Sequence, residues 1–447
     1  MREGAELELL FTDLLANGQG VGRADGLVVF CFGPLPEERA RVRISEVKPR
    51  YAVAHLVKLI SQSARRAVPF CPVFGDCGGC QLQHLEYPAQ LAWKRDVVRQ
   101  ALARIGDIGD VEVRATIGMA EPRAYRNKMA LVVDRRSKLP ALGFYRQRSH
   151  EVVAIDRCPV VAPKLDDLLQ RLDNARGEPP MEQMLRETRH LVARSAAATG
   201  EVVLTITSDR RSPAAAAAAV QLVRDVPGLN GVENSFGLAS ENAILGRKHQ
   251  LLAGTLEIDE VIAGVRYRLT TGSFFQINTE IVARIFEMLR PRLAQAGRIV
   301  DLYCGVGTFA LFFARQGWSV VGIEEDARAV AQARANAHLN RLERYVRFET
   351  GRVEETVASP KVAPALRDAS AVFLDPPRKG SDEATLGAIA RVKPPQVWYL
   401  SCDPATLARD LKFLIAKGYR ITAVQPFDMF PHTGHVESLA LLEAGDA

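Results

Sequence analysis

At 447 residues the chain is longer than one hydrophobic core accommodates, so roughly two to four domains are expected. Hydrophobic residues at 47% and charged residues at 25% describe an ordinary globular protein and exclude a disordered, collagenous or membrane-spanning chain. The net charge of +6 permits a polyanionic partner without requiring one.

The N-terminal MREGAELELLFTDLL places acids where a signal peptide wants bases, so the cytoplasm is the expected compartment. Seven cysteines without an export signal argue against a disulfide framework and towards ligation or catalysis. Residues 1–62 alternate short strands with glycine-bearing turns. This spacing predicts a small five-stranded barrel of the oligonucleotide-binding type, with Cys31 inside an apolar run and therefore in its core.

A loop rich in proline and glycine follows, with Cys71, Cys77 and Cys80 spaced C-x5-C-x2-C and a fourth thiol available at Cys158, before a proline. Four thiolates suit zinc or a [4Fe–4S] cluster, and the spacing alone leans towards zinc. Residues 87–105 carry apolar side chains at helical spacing, and residues 63–265 as a whole read as a central domain of mixed strands and helices. The alanine-rich Pro213–Val226 is expected to be a helix. Basic, aromatic-flanked clusters at Tyr125–Lys128, Asp134–Lys138 and Phe144–His150 suit contact with nucleic acid as well as with solvent.

From residue 266 to 447 the texture becomes strand, turn, helix, strand. RIVDLYCGVGTFALFFARQGWSVVGIEED predicts a tight turn at Gly305 and Gly307 between a strand ending at Asp301 and a helix, with Glu324 closing the next strand. The missing third glycine of a dinucleotide fingerprint leans the ligand towards S-adenosylmethionine. A doubly wound open sheet is expected, with Asp301, Glu324, Asp375 and Cys402 at the carboxyl ends of its strands, where ligands gather. In VWYLSCDPATLARDL, Cys402 sits between a buried strand and a helix that begins at Asp403-Pro404. Such a position exposes the thiol to the positive end of the helix dipole and favours thiolate.

The motifs DLYCGVGTFAL, LDPPRKG, YLSCDPATLARDL and FPHTGHVESLALL, in this order, resemble those of the S-adenosylmethionine-dependent RNA 5-methyluridine methyltransferases. The resemblance runs from about Leu7 to Leu442 and is nearest to the branch acting on 23S ribosomal RNA. It implies a Rossmann-like class I methyltransferase domain, an N-terminal TRAM barrel and an α+β iron–sulfur central domain. Cys71, Cys77, Cys80 and Cys158 would hold a [4Fe–4S] cluster, which reverses the leaning towards zinc. Cys402 would be the nucleophile and Glu437 the general base. Gln276, Tyr303, Thr308, Glu324 and Asp375 would bind the cofactor or lie beside it. Thr308 stands where many members have asparagine, and no residue is assigned within ETGRV, residues 349–353. The partner implied is RNA, with no membrane and no obligate protein partner. Transfer RNA or another ribosomal uridine as target, a non-catalytic RNA-binding protein, and an iron–sulfur electron carrier are the competing readings.

Overall fold

The computed structural model describes residues 1–136, 138–240 and 243–445; Ser137 of the Asp134–Lys138 cluster and the last two residues of the 266–447 segment lie outside the described residues. Strands β1 (Glu6–Leu14), β2 (Gln19–Ala24), β3 (Leu27–Phe32), β4 (Arg39–Val47) and β5 (Tyr51–Ser61) close into a barrel in the order β1-β2-β3-β5-β4. Strict alternation builds it. In β4 the even positions Ala40, Val42 and Ile44 fill the barrel with Leu9, Phe11, Val29 and Cys31, while Arg41 and Arg43 point outward to pair with Glu8 and Glu6. Burial pushes the Cys31 thiol up to about 12, as suits a core side chain.

Helix α1 (Tyr87–Ala101) runs into a π-helical turn at Leu102–Gly106. Its Val98 and Leu102 are buried with Val300, Leu302 and Val372 of the C-terminal sheet, so the helix belongs to that module in its packing. The central sheet comprises β6 (Lys128–Asp134), β7 (Ala141–Tyr145), β8 (Val152–Ala154), β9 (Thr188–Ser195), β10 (Val202–Ser208), β11 (Leu229–Phe236) and β12 (Lys248–Gly254). Their order is β12-β11-β10-β9-β6-β7-β8. Helices α2 (Pro163–Ala175), α3 (Pro179–Glu187) and α4 (Ala214–Asp225) cover one face through Leu165, Leu169, Met181, Met184 and Leu222. The opposite face carries polar side chains (Arg194, Thr205, Glu233) and turns towards the C-terminal module, where the Arg194 guanidinium donates to the Ser273 carbonyl at 2.7 Å.

The hairpin of β13 (Ile258–Ile262) and β14 (Val265–Leu269) begins before residue 266, and its Ile258, Val265 and Tyr267 lie in the same core as Phe286, Phe309 and Phe373. Apolar packing therefore begins the C-terminal module a few residues before the change in sequence texture. Then come α5 (Thr279–Leu289), β15 (Arg298–Leu302), α6 (Thr308–Arg315), β16 (Ser319–Glu324), α7 (Ala327–Leu339), β17 (Val346–Thr350), α8 (Val353–Thr356), α9 (Ala363–Arg367), β18 (Ala371–Leu374), α10 (Glu383–Val392), β19 (Gln396–Ser401), α11 (Pro404–Ala416), β20 (Tyr419–Phe427) and β21 (Glu437–Ala444). The sheet order is β17-β16-β15-β18-β19-β21-β20, with β15–β19 parallel and β21 antiparallel to both of its neighbours. The order in which successive strands are laid down reverses between β15 and β18, the switch point at which doubly wound sheets open a crevice. Among the described residues no helix is long and apolar enough to cross a membrane.

Candidate active site

The crevice outside the carboxyl ends of these strands is a cavity of about 1010 Å³ lined by Gln276, Tyr303, Glu324, Asp375, Cys402 and Glu437. Strand register explains the meeting of the last two. Ser401 pairs with Ser438 across β19 and β21, so one further step brings Cys402, at the end of one strand, beside Glu437, at the start of its antiparallel neighbour. Asp375 follows β18 on the other side of β19, and its Oδ2 accepts from Gln276 Nε2 at 3.0 Å. Gln276 is itself held from the central sheet, because Asn127 donates its side-chain amide to the Gln276 carbonyl at 2.9 Å.

Burial governs the electrostatics. It raises Asp375 to about 7, against the opposing bond from Gln276. Glu437, 3% exposed, is held well above the usual carboxylate range by burial and then by the Asp375 charge. The Cys402 thiol rises to about 11, first through burial and then through Glu437 and Asp375. This corrects the expectation of a thiolate favoured by the helix end. The first-turn amides of α11, from Ala405 and Thr406, donate to the Asp403 carboxylate at 2.9 and 3.0 Å. Asp403 caps the helix, and the thiol stands one residue outside it. The counter-charge comes instead from Arg378, which favours the ionised forms of both Cys402 and Glu437 and donates to His435 Nε2 at 3.5 Å.

At the other end of the cavity Glu324 closes β16, and its carboxylate accepts from the Gly305 and Asp326 amides at 3.0 and 2.9 Å. Gly307, with φ near +85°, makes the turn into α6; a side chain there would crowd Phe348 and Leu311 at 3.2–3.3 Å. Tyr303 holds a left-handed backbone, φ +66°, and its hydroxyl bonds with Ser381 Oγ at 3.1 Å. Such a cradle fits a nucleoside: a tight glycine turn, an acid for ribose hydroxyls and an aromatic ring.

Two expected positions fall elsewhere. Thr308 begins α6 but is buried, its carbonyl accepting from the Tyr267 hydroxyl at 2.8 Å, and it does not line the cavity. Asp301 lies one residue inside the end of β15, is 1% exposed, and stays beneath the turn. Conversely, Arg352, Val353 and Glu354 line the cavity although ETGRV gave no assignable residue. Arg378 lies within LDPPRKG, a motif from which no site role was assigned to it. Glu233 and His249, from the central sheet, belong to no motif.

The four cysteines of the central region share a different cavity, of about 620 Å³, bordered by Arg126 and Lys128. Burial raises Cys80 to about 12 and Cys158 to about 11, and each is raised further by a neighbouring thiol. Among the described residues, however, no group of three or more His, Cys, Asp or Glu side chains is placed to hold a metal ion.

Residues 86–445 match the family described as tRNA (uracil-5-)-methyltransferase, and residues 1–57 match the TRAM domain. An uncharacterized RNA methyltransferase of Thermosynechococcus vestitus is 38% identical, over 99% of this chain and 98% of its own. One from Halalkalibacterium halodurans is 37% identical, over 98% and 96%. Among solved structures, the tRNA (uracil-54, C5)-methyltransferase of Pyrococcus abyssi in complex with S-adenosyl-L-homocysteine superposes with a TM-score of 0.76 at 27% identity, covering 98% of this chain and 100% of that one. The chain thus belongs to the tRNA (uracil-5-)-methyltransferase family and is an S-adenosylmethionine-dependent RNA uracil-C5 methyltransferase with an N-terminal TRAM domain.

Proposed function

We propose that this enzyme methylates carbon 5 of a uridine in 23S ribosomal RNA, in the cytoplasm, through covalent catalysis by Cys402. The observation that carries the mechanism is the adjacency, in one cavity, of Cys402, Glu437, Asp375 and Arg378. Carbon 5 of uracil is a weak nucleophile. Addition of the Cys402 sulfur to carbon 6 converts the ring into an enolate whose carbon 5 is nucleophilic. Bound S-adenosylmethionine supplies an electrophilic methyl group to that carbon. Glu437 then takes the hydrogen left on carbon 5, and the electron pair so released expels the Cys402 thiolate and restores the double bond. Arg378 offsets the negative charge on the sulfur and on Glu437. A thiol raised to about 11 is protonated in the free protein near neutral pH, so its proton passes to solvent as the sulfur adds to carbon 6. The uridine must leave its stack to reach Cys402, at a cost of a few kcal/mol. Tyr303 and Glu324 would hold the cofactor's nucleoside, with Gln276 and Asp375 on the same cavity.

In the central region Cys71, Cys77, Cys80 and Cys158 hold a [4Fe–4S] cluster in this proposal. What supports it is four thiols on one cavity with cations at its rim. The cluster would act as a structural staple of the RNA-facing region.

The choice of 23S ribosomal RNA rests on the TRAM barrel together with the four cysteines. Transfer RNA is the second reading, favoured by the likeness to the Pyrococcus abyssi enzyme, whose name gives uracil-54 of tRNA. Both transcripts, incubated with methyl-labelled cofactor and digested to nucleosides, decide between them. Label in 5-methyluridine from one position of 23S RNA supports the proposal, and label only from transfer RNA overturns the target.

A further inference from the structure

Lining the same cavity as Cys402 and Glu437 is a polar group that the mechanism leaves unused. Glu233, on β11, is buried, and its Oε1 accepts from the hydroxyls of Thr205 and Thr271 at 2.7 and 3.2 Å. Its Oε2 lies 3.2 Å from Nδ1 of His249, on the neighbouring edge strand β12. That pairing orients the imidazole, whose side chain is 34% exposed, and leaves Nε2 for a ligand. Both residues line the same cavity as Cys402, as does Phe274, 71% exposed, whose ring has a free face for a base.

Topology then places charge beside this pair. Strands β10 and β11 are parallel and end together at Ser208 and Phe236, and Lys248 pairs with Phe236 as the antiparallel β12 begins. Arg247 and Lys248, at the start of β12, and Arg210 and Arg211, just beyond β10, are therefore exposed at one end of the sheet. An exposed ring and an oriented imidazole line the cavity, and exposed cations stand at the end of the sheet where β12 begins. A single RNA strand presents bases and phosphates to match.

We propose that this wall is a second RNA subsite, in which His249, oriented by Glu233, meets the phosphodiester backbone beside the target uridine while Arg247 and Lys248 guide the flanking strand over the edge of the central sheet. The subsite rests on the RNA-methylating reading above and adds the path of the strand to it.

The test compares the full-length enzyme with R247S/K248S, H249A and the control R315S/R391S, which removes equal charge from exposed positions on α6 and α10. Transcripts of 23S RNA and transfer RNA are the probes, with affinity measured across a salt series. For R247S/K248S the expected results are a KM for RNA raised roughly tenfold near physiological salt and a log–log salt slope shallower by about 1.4, that is about 0.7 for each single-strand phosphate contact. H249A raises the KM for RNA while that for S-adenosylmethionine stays, and H249K, which restores a donor, recovers part of the loss. Unchanged slope and KM in R247S/K248S, or an equal change in the control, overturns the subsite. A wild-type enzyme that methylates neither RNA overturns the functional reading itself, whereas full methylation by all variants removes the subsite alone.

Discussion

Replacing Lys94 by methionine tests how the catalytic loop is held. Lys94, on α1, is completely buried, and its ammonium contacts the equally buried Asp428 carboxylate and donates to the Phe430 carbonyl at 3.0 Å. Both partners precede Glu437 in the segment that carries His432 and His435. Methionine keeps the aliphatic stem, so little cavity forms, but Asp428 is left as a buried charge without its cation. Breaking such a pair from one side costs about 3–5 kcal/mol. For a module of this size each kcal/mol moves Tm by roughly 2–4 °C, so a fall of about 6–20 °C is expected. Thermal unfolding of wild type, K94M, D428L and K94M/D428L supplies the cycle. The double variant should recover more than half of the loss, because an apolar pair fills the site without an orphaned charge. A loss below about 1 kcal/mol in K94M, or a double variant no better than the singles, refutes the reasoning.

Three further outcomes follow from the same site. Glu437→Gln should retain addition and methyl transfer but stall at release, lowering turnover by at least about a hundredfold; a denaturing gel should show methylated RNA still attached to protein. Alkylation of Cys402 in the free protein should rise about tenfold for each pH unit from 7 to 10, since a thiol near 11 ionises progressively over that range, and R378Q should be slower at every pH; a plateau below pH 8 contradicts this. Anaerobically purified protein should contain iron and acid-labile sulfide in nearly equal amounts, lost in C158A, and stoichiometric zinc without sulfide would replace the cluster with a single ion.

Much of the site was legible because parallel strands deliver residues to one edge. Glu324, Asp375 and Cys402 could be placed at strand ends from apolar runs and the turn residues after them, and all three line the cavity. The same logic slips by one residue at Asp301, where a strand one position longer buries the carboxyl. Thr308 shows another limit: as the first residue of α6 it turns into the protein, a direction that spacing does not encode. The Cys402 thiol is raised by burial and then by Glu437 and Asp375, neighbours that the residues around Cys402 in sequence do not reveal, while Asp403, itself visible as a cap, takes the first amides of α11. Glu233 and His249 were out of reach. They come from strands of another sheet and share a cavity with Cys402 only through tertiary packing.

The central claim is covalent catalysis by Cys402, and the most direct measurement uses RNA carrying 5-fluorouridine with S-adenosylmethionine. Fluorine does not leave as a cation, so methyl transfer strands the enzyme on its substrate. The account predicts a slowly migrating protein–RNA adduct on a denaturing gel, present in wild type and absent in Cys402→Ala. No adduct with an RNA that the enzyme does methylate, or an adduct that persists in Cys402→Ala, would contradict it.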